Sequence, residues 1–109
     1  MKQNSFEEVW HFIEGLEGRT IRTKDRGIAN HIIKVTEEGV LRLSDGSREK
    51  KCTLVRQKEF KMVWEELVRN GECVAVEKKA WRIVCAILAE LPEVGYDIKP
   101  VRVYLKNKE

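Results

Sequence analysis

FKMVWEELVRNGECVAVEKKAWRIVCAILAELP, residues 60–92, reads as a helix, a glycine stop, a short strand, a second helix and a proline stop. Phe60, Val63, Trp64, Leu67 and Val68 recur at i, i+3, i+4, i+7 and i+8, one apolar stripe along a helix. Asn70-Gly71 supplies the left-handed cap that ends it, and Cys73 to Val76 suits a short strand. From Lys79 to Leu91 the residues Trp81, Ile83, Val84, Cys85, Ala86, Ile87, Leu88, Ala89 and Leu91 leave almost no polar face before Pro92 stops the helix. A helix apolar nearly all round belongs at the centre of a core. The spacing therefore predicts that Trp81, Val84, Cys85 and Leu88 are among the least accessible residues. Lys79, Arg82, Ala86 and Glu90 remain for an exposed strip.

Working outward, Ser5-Phe6-Glu7-Glu8 fits a capping box, and Phe6, Val9, Trp10, Ile13 and Leu16 continue as an apolar stripe. A first helix over about 5–16 follows. From Arg19 to Val55 the periodicity changes to two and β-branched residues increase, giving strands over 20–23, 28–36, 40–44 and about 51–55. Glu37-Glu38-Gly39 and Ser44-Asp45-Gly46-Ser47 carry the turn chemistry of antiparallel hairpins. Ile33, Val35, Leu41 and Leu43 are expected on the buried face, with Asn30, Lys34 and Arg42 on the wet one. Val101 to Leu105 alternates again and should close the sheet. The expectation is one α+β domain over residues 1–109, three helices on a mainly antiparallel sheet, in the order α-β-β-β-(β)-α-β-α-β.

Of the 109 residues 42% are hydrophobic, enough for one modest core, and 21 Lys+Arg against 18 Asp+Glu leave a net charge of +3. A pI near 8.8 lies below the strongly basic range typical of dedicated nucleic-acid binders. The three cysteines, Cys52, Cys73 and Cys85, have no CxxC spacing, and two of them fall in predicted core elements. Reduced thiols in a cytoplasmic protein are expected, with no disulfide framework and no zinc site. The longest apolar run, Ile83 to Ala89, is far short of a bilayer span, so no membrane partner is expected.

Catalytic patterns are weak. His11 has Glu7, Glu8 and Glu14 within a turn, a spacing that can converge on a metal, but the group reads first as the solvated face of an amphipathic helix. His31 reads as a surface or edge residue of a strand. Asp45 with Glu49-Lys50-Lys51 only superficially resembles a nuclease Glu-x-Lys, because Asp45 belongs to a DG turn. There is no glycine-rich phosphate loop, GxSxG or HExxH. No catalytic residue, metal or cofactor is assigned, and a non-enzymatic role is expected.

The cations are better placed than they are numerous. Between Gly18 and Val35 stand Arg19, Arg22, Lys24, Arg26 and Lys34 against the single acid Asp25, a local positive field suited to phosphate backbones. The same residues would also serve as charged guards of a sheet edge. In the opening segment, a helix-turn-helix would present Lys78, Lys79 and Arg82 at the start of the second helix. A helix buried on nearly every side cannot offer a face to a groove, so phosphate contact from its first turn, by Lys79 and Arg82, is expected instead of base reading.

The run F-x-x-V-W-x-x-L-x-x-x-G from Phe60 to Gly71, followed by V-C-A-I-L-A-x-L-P-x-V from Val84 to Val94, resembles small winged-helix-like α+β modules that accompany prokaryotic restriction and helicase proteins. The resemblance covers about a third of the chain and implies a winged-helix-like second half and association with DNA-processing or defence systems. It carries over no catalytic residue. The reading is a DNA-binding, or RNA-binding, accessory module contacting phosphates through Arg19, Arg22, Lys24, Arg26, Lys34, Lys79 and Arg82. The competing reading is a protein-interaction or homodimerisation domain using Ala86, Ala89 and the terminal strand.

Overall fold

The capping box forms as the sequence requires. Ser5 N donates to Glu8 Oε1 at 2.8 Å and Glu8 N donates to Ser5 Oγ at 3.2 Å, opening α1 (Phe6–Glu14). The computed structural model describes residues 5–23, 27–45, 52–75, 79–98 and 101–106, with the backbone only at 79–80. The chain continues through β1 (Thr20–Arg22), β2 (Ala29–Thr36), β3 (Gly39–Ser44), β4 (Cys52–Arg56), α2 (Gln57–Asn70), β5 (Glu72–Val74), α3 (Lys79–Leu88), β6 (Val94–Ile98) and β7 (Val101–Leu105). It is an α+β fold with three helices and antiparallel sheets.

The single expected sheet is in fact two. One is four-stranded in the order β1-β2-β3-β4, a meander, and the other three-stranded in the order β5-β7-β6. The extra strand is β6, which forms a hairpin with β7 through the pair Ile98↔Val101. Val94-Gly95-Tyr96-Asp97 carries a glycine and an acid, both poor strand formers, so propensity hides an element that β7 imposes by pairing. The terminal strand β7 thereby becomes the middle of its sheet, with β5 and β6 on its two edges. Both of its edges are paired and Ala86 is only 2% exposed, so of the expected interaction surface a free edge of β7 and Ala86 are closed, while Ala89 is half-exposed.

The helices lie where both sheets can use them. α1 packs on β2, and α2 reaches β3 and β4 of the first sheet together with β5 and β7 of the second. α3 touches α2, β1, β6 and β7. With neighbours from both sheets, α3 needs apolar residues on nearly every side, and Ile83, Val84, Cys85, Ala86, Ile87 and Leu88 are all buried. The α1 and α2 stripes meet there too, Trp10 and Phe60 packing edge to face with centroids 5.4 Å apart. Two expected core residues differ. Trp81 is half-buried because its Nε1 donates to Glu59 Oε1 at 2.7 Å across the α2/α3 contact, and Val68, at the margin of the α2 stripe, is 40% exposed. Gly71 ends α2 in the left-handed conformation, φ +83°, as Asn70-Gly71 requires. Among the described residues no helix is long and apolar enough to cross a membrane.

Two bulges set the phase of the four-stranded sheet. Gly18, at φ +87°, and Arg19 together oppose Ile32, with Gly18 N donating to Ile32 O at 2.7 Å and Ile32 N to Arg19 O at 2.8 Å. A second irregularity between Ile32 and Lys34 leaves Ile33 outside the ladder, and Val35 N finds Glu17 Oε1 at 2.8 Å. Downstream of it Val35 pairs with Val40, while Ile32 pairs with Arg42. At the β2–β3 turn Gly39, φ +152°, leaves no room for a Cβ, which would lie 2.1 Å from Val55 O.

Two substitutions check the central-helix packing. Leu88, fully buried in α3, should cost about 2–5 kcal/mol when changed to Ala, through lost burial and a residual cavity. Val68→Ala, at an exposed α2 position, should change stability by about 0.5 kcal/mol or less. Urea unfolding measures both, and equal losses would contradict this placement of α3.

Candidate functional site

Strand pairing assigns each residue of the four-stranded sheet to a face, since directly opposed residues project to the same side. One row set contains Ile21, Asn30, Ile32, Val40, Arg42, Ser44, Thr53 and Val55, with Val35 joining after the bulge. This is the face toward the helices, where Ile21, Ile32, Val40 and Val55 are buried. The other set contains Thr20, Arg22, Ala29, His31, Lys34, Thr36, Gly39, Leu41, Leu43, Cys52, Leu54 and Arg56, all exposed or half-exposed except Ala29 and Gly39.

The assignment reverses part of the expected pattern. Leu41 and Leu43 lie on the outer face, while Asn30 and Arg42 lie on the inner one. The adjacent pair Ile32-Ile33 gives no phase to β2, and the bulge after Ile32 sends Ile33, 45% exposed, out of the core. Asn30 is only 2% exposed and accepts from Arg42 Nη1 through Oδ1 at 2.7 Å. Burial lowers the Arg42 pKa below its ordinary value, and Arg42 Nε is buried without a partner.

Those of the expected phosphate-binding residues that are described do not all share one surface. Arg22 and Lys34 share the outer sheet face and are exposed, although Arg22 Nη1 is anchored on Gly27 O at 2.9 Å. Arg19 is exposed at the bulge, in the next row. Arg82 belongs to α3, on the opposite side of the sheet, and is half-buried with partners of its own. Lys24 and Arg26 lie outside the described residues, as does the Lys79 side chain. Arg56 was not anticipated. It stands opposite Gly39 and joins the outer face because β4 runs one residue further than its β-branched stretch indicates. The outer face thus presents Arg22, Lys34 and Arg56 with Leu41, Leu43 and Leu54.

One polar chain crosses that face. Thr20 Oγ1 lies 3.0 Å from His31 Nδ1, and His31 Nε2 lies 3.0 Å from Asp45 Oδ1. A carboxylate can only accept from neutral imidazole at Nε2, which leaves Nδ1 to accept from the Thr20 hydroxyl. The chain ties β1, β2 and the residue after β3 together, and it occupies Asp45, the acid of the superficial nuclease pattern, while Glu49-Lys50-Lys51 lies outside the described residues. On α1, His11 Nδ1 is 3.3 Å from Glu14 Oε1 and strongly exposed. Among the described residues no group of three or more His, Cys, Asp or Glu side chains could hold a metal. A cleft of about 390 Å³ runs between α1 and the start of α2, with Glu7, His11 and Glu14 facing Gln57 and Lys61.

The thiols are free and divide by position. Cys52 is exposed on the edge strand β4, and Cys73 and Cys85 are buried. Burial pushes the Cys73 thiol up to about 12, helped by the Glu66 carboxylate, to which it is hydrogen-bonded. Burial likewise pushes Cys85 up to about 12, with Cys73 adding to the rise.

Comparison of the chain with protein families, with curated proteins and with solved structures found no match.

The thiol environments predict a labelling pattern and a pH dependence. A thiol-specific reagent near neutral pH should modify Cys52 rapidly and the other two only after denaturation. Cys73 and Cys85 keep their protons in the folded state, whereas unfolding returns them to an ordinary value of 9.0. Their contribution to stability is complete below 9.0 and is lost as the pH rises toward about 12. Urea unfolding of the wild type and a Cys73→Ala/Cys85→Ala variant across that range should show a shallower alkaline decline in the variant.

Proposed function

We propose that the chain is a non-enzymatic nucleic-acid-binding accessory module, winged-helix-like in its second half, of the kind that accompanies prokaryotic restriction and helicase proteins. It contacts DNA or RNA phosphates through the β1–β2 region and the outer face of the four-stranded sheet. The observation that carries this reading is the outer-face arrangement: Arg22, Lys34 and Arg56 stand exposed on a sheet whose other face carries the core residues Ile21, Ile32, Val40 and Val55. Exposed guanidinium and ammonium groups on an open surface favour phosphate without discriminating bases. Arg19 extends the field along β1, and Lys24 and Arg26 adjoin it in sequence. The connectivity α2, β5, α3 and a β6–β7 hairpin, with β5 paired to β7, supports the winged-helix likeness. The buried length of α3 argues against groove reading, so Lys79 and Arg82 are assigned at most to phosphate contact from its first turn.

A specific observation favours a second reading. Leu41, Leu43 and Leu54 are half-exposed between the cations, and Ile33 is 45% exposed. That apolar strip suits a protein partner or a second copy of the chain better than a phosphate backbone does.

Fluorescence anisotropy with duplex and single-stranded DNA and with RNA tests the first reading. Affinity should fall steeply with salt, with a log-log slope of about 0.9 per phosphate neutralised on duplex DNA. Arg22→Ala with Lys34→Ala should weaken binding to all sequences alike and flatten the slope, with little change in thermal unfolding. No binding at about 50 mM salt, together with a stable dimer by light scattering, would replace it with the interaction reading.

A further inference from the structure

The interaction reading leaves its partner open, and the β4 edge of the four-stranded sheet points to one. Among the described residues β4 pairs with β3 alone, so its other side is open. It is the edge best suited to pairing, since β1 and β5 have three residues each and β6 carries Gly95 and Asp97. Cys52 on the outer face and Thr53 on the inner one are both exposed, so this end of the strand is uncovered on either side. Gln57 N donates to Glu38 O at 2.9 Å, one step beyond the Gly39↔Arg56 pair, which sets the phase of the ladder. Hydrogen-bonded and non-hydrogen-bonded pairs alternate between antiparallel strands. Thr53 and Val55 therefore turn their N–H and C=O toward β3, while Cys52 and Leu54 turn theirs to the open edge, where such groups template another strand.

The strand is complementary to itself. A second copy running antiparallel about a two-fold axis at Leu54 pairs all five residues: Leu54 with its own counterpart, Cys52 with Arg56, and Thr53 with Val55. In that register the outward-pointing groups of the two Leu54 residues meet, so the central pair exchanges both backbone hydrogen bonds. Arg56, the one charged residue of β4, falls beside Cys52 at either end, and no like charges face each other. The sheet faces match as well. Leu41 pairs with Leu54, so the half-exposed leucines of the two copies join in one row on the outer face. On the inner face α2 reaches β4 and Val55 is buried, whereas Thr53 is exposed, so the covered end of each copy falls beside the open end of the other. Backbone bonds exchanged for bonds to water add little net, which leaves the leucine row as the driving contact.

We propose that the chain forms a symmetric dimer through β4, two four-stranded sheets joining edge to edge into one continuous sheet with its axis at Leu54. The dimer rests on the interaction reading of the apolar strip, to which it gives a second copy of the chain as partner and β4 as the place. It does not depend on the nucleic-acid reading, since Arg22 and Lys34 lie on β1 and β2, away from the junction.

Sedimentation velocity of the full chain over a concentration series should show a reversible monomer–dimer equilibrium. Leu54→Lys and Leu54→Glu each set like charges against one another at the axis and should each weaken the dimer about tenfold or more. Because Leu54 is half-exposed, the circular dichroism of both variants should stay that of the wild type. Mixing the two variants should restore association, since opposite charges then meet. In a Cys52→Ala background, Leu54→Cys should give an interchain disulfide on mild oxidation, because directly opposed residues lie within its reach, whereas Val68→Cys at an exposed α2 position should not. A wild-type chain that stays monomeric at about 1 mM overturns the β4 dimer. A dimer that neither charge variant weakens overturns it too, but leaves the interaction reading standing on another surface.

Discussion

The burial of α3 is the constraint on which the other elements depend. Its residues from Ile83 to Leu88 are all inaccessible, because α2 covers one side and strands of both sheets cover the others. No surface helix could carry that run without exposing it to water. One helix therefore serves as the core of two sheets. The short β5 and the β6–β7 hairpin form a separate sheet that covers α3 where the first sheet does not. The same burial bears on function. A helix enclosed in this way cannot lie in a nucleic-acid groove.

The four-stranded sheet shows where local patterning and global packing disagree. A sheet facing helices on one side is expected to place its most apolar alternation inward. Here Leu41 and Leu43 face out while Arg42 faces in, paired with the deeply buried Asn30. The inner face nevertheless gains Ile32, Val40 and Val55, which close against the helices, and the polar residues fall at its end. Such departures from consistent patterning are expected at functional positions, where a binding surface takes precedence over the best local choice. Both faces depart in this sheet: the outer one carries apolar residues among cations, and the inner one an arginine hydrogen-bonded to a buried asparagine. The Ile33 bulge changes which residues of β2 face the core, while β3 keeps an unbroken alternation with Val40 inward.

The helices were legible in the chain itself. The stripes of α1 and α2, the capping box at Ser5, the left-handed Gly71 and the unbroken apolar run of α3 are short-range signals, each set by neighbours within a turn or two. The α+β class, the helix count and the meander of the first four strands followed from them and from the turn at Glu37-Glu38-Gly39. Tertiary structure alone decided the separation into two sheets, the existence of β6, and which face of β2 and β3 is wet. Those features depend on pairing between residues distant in sequence and on bulges that shift the alternation by one residue, and a shift of one exchanges the two faces of a strand. The candidate site divided along the same line. The crowding of cations near β1 is visible in the sequence, but the company Arg22 keeps with Lys34 and Arg56, and the pairing of Arg42 with Asn30 on the other side, exist only once the strands are in register.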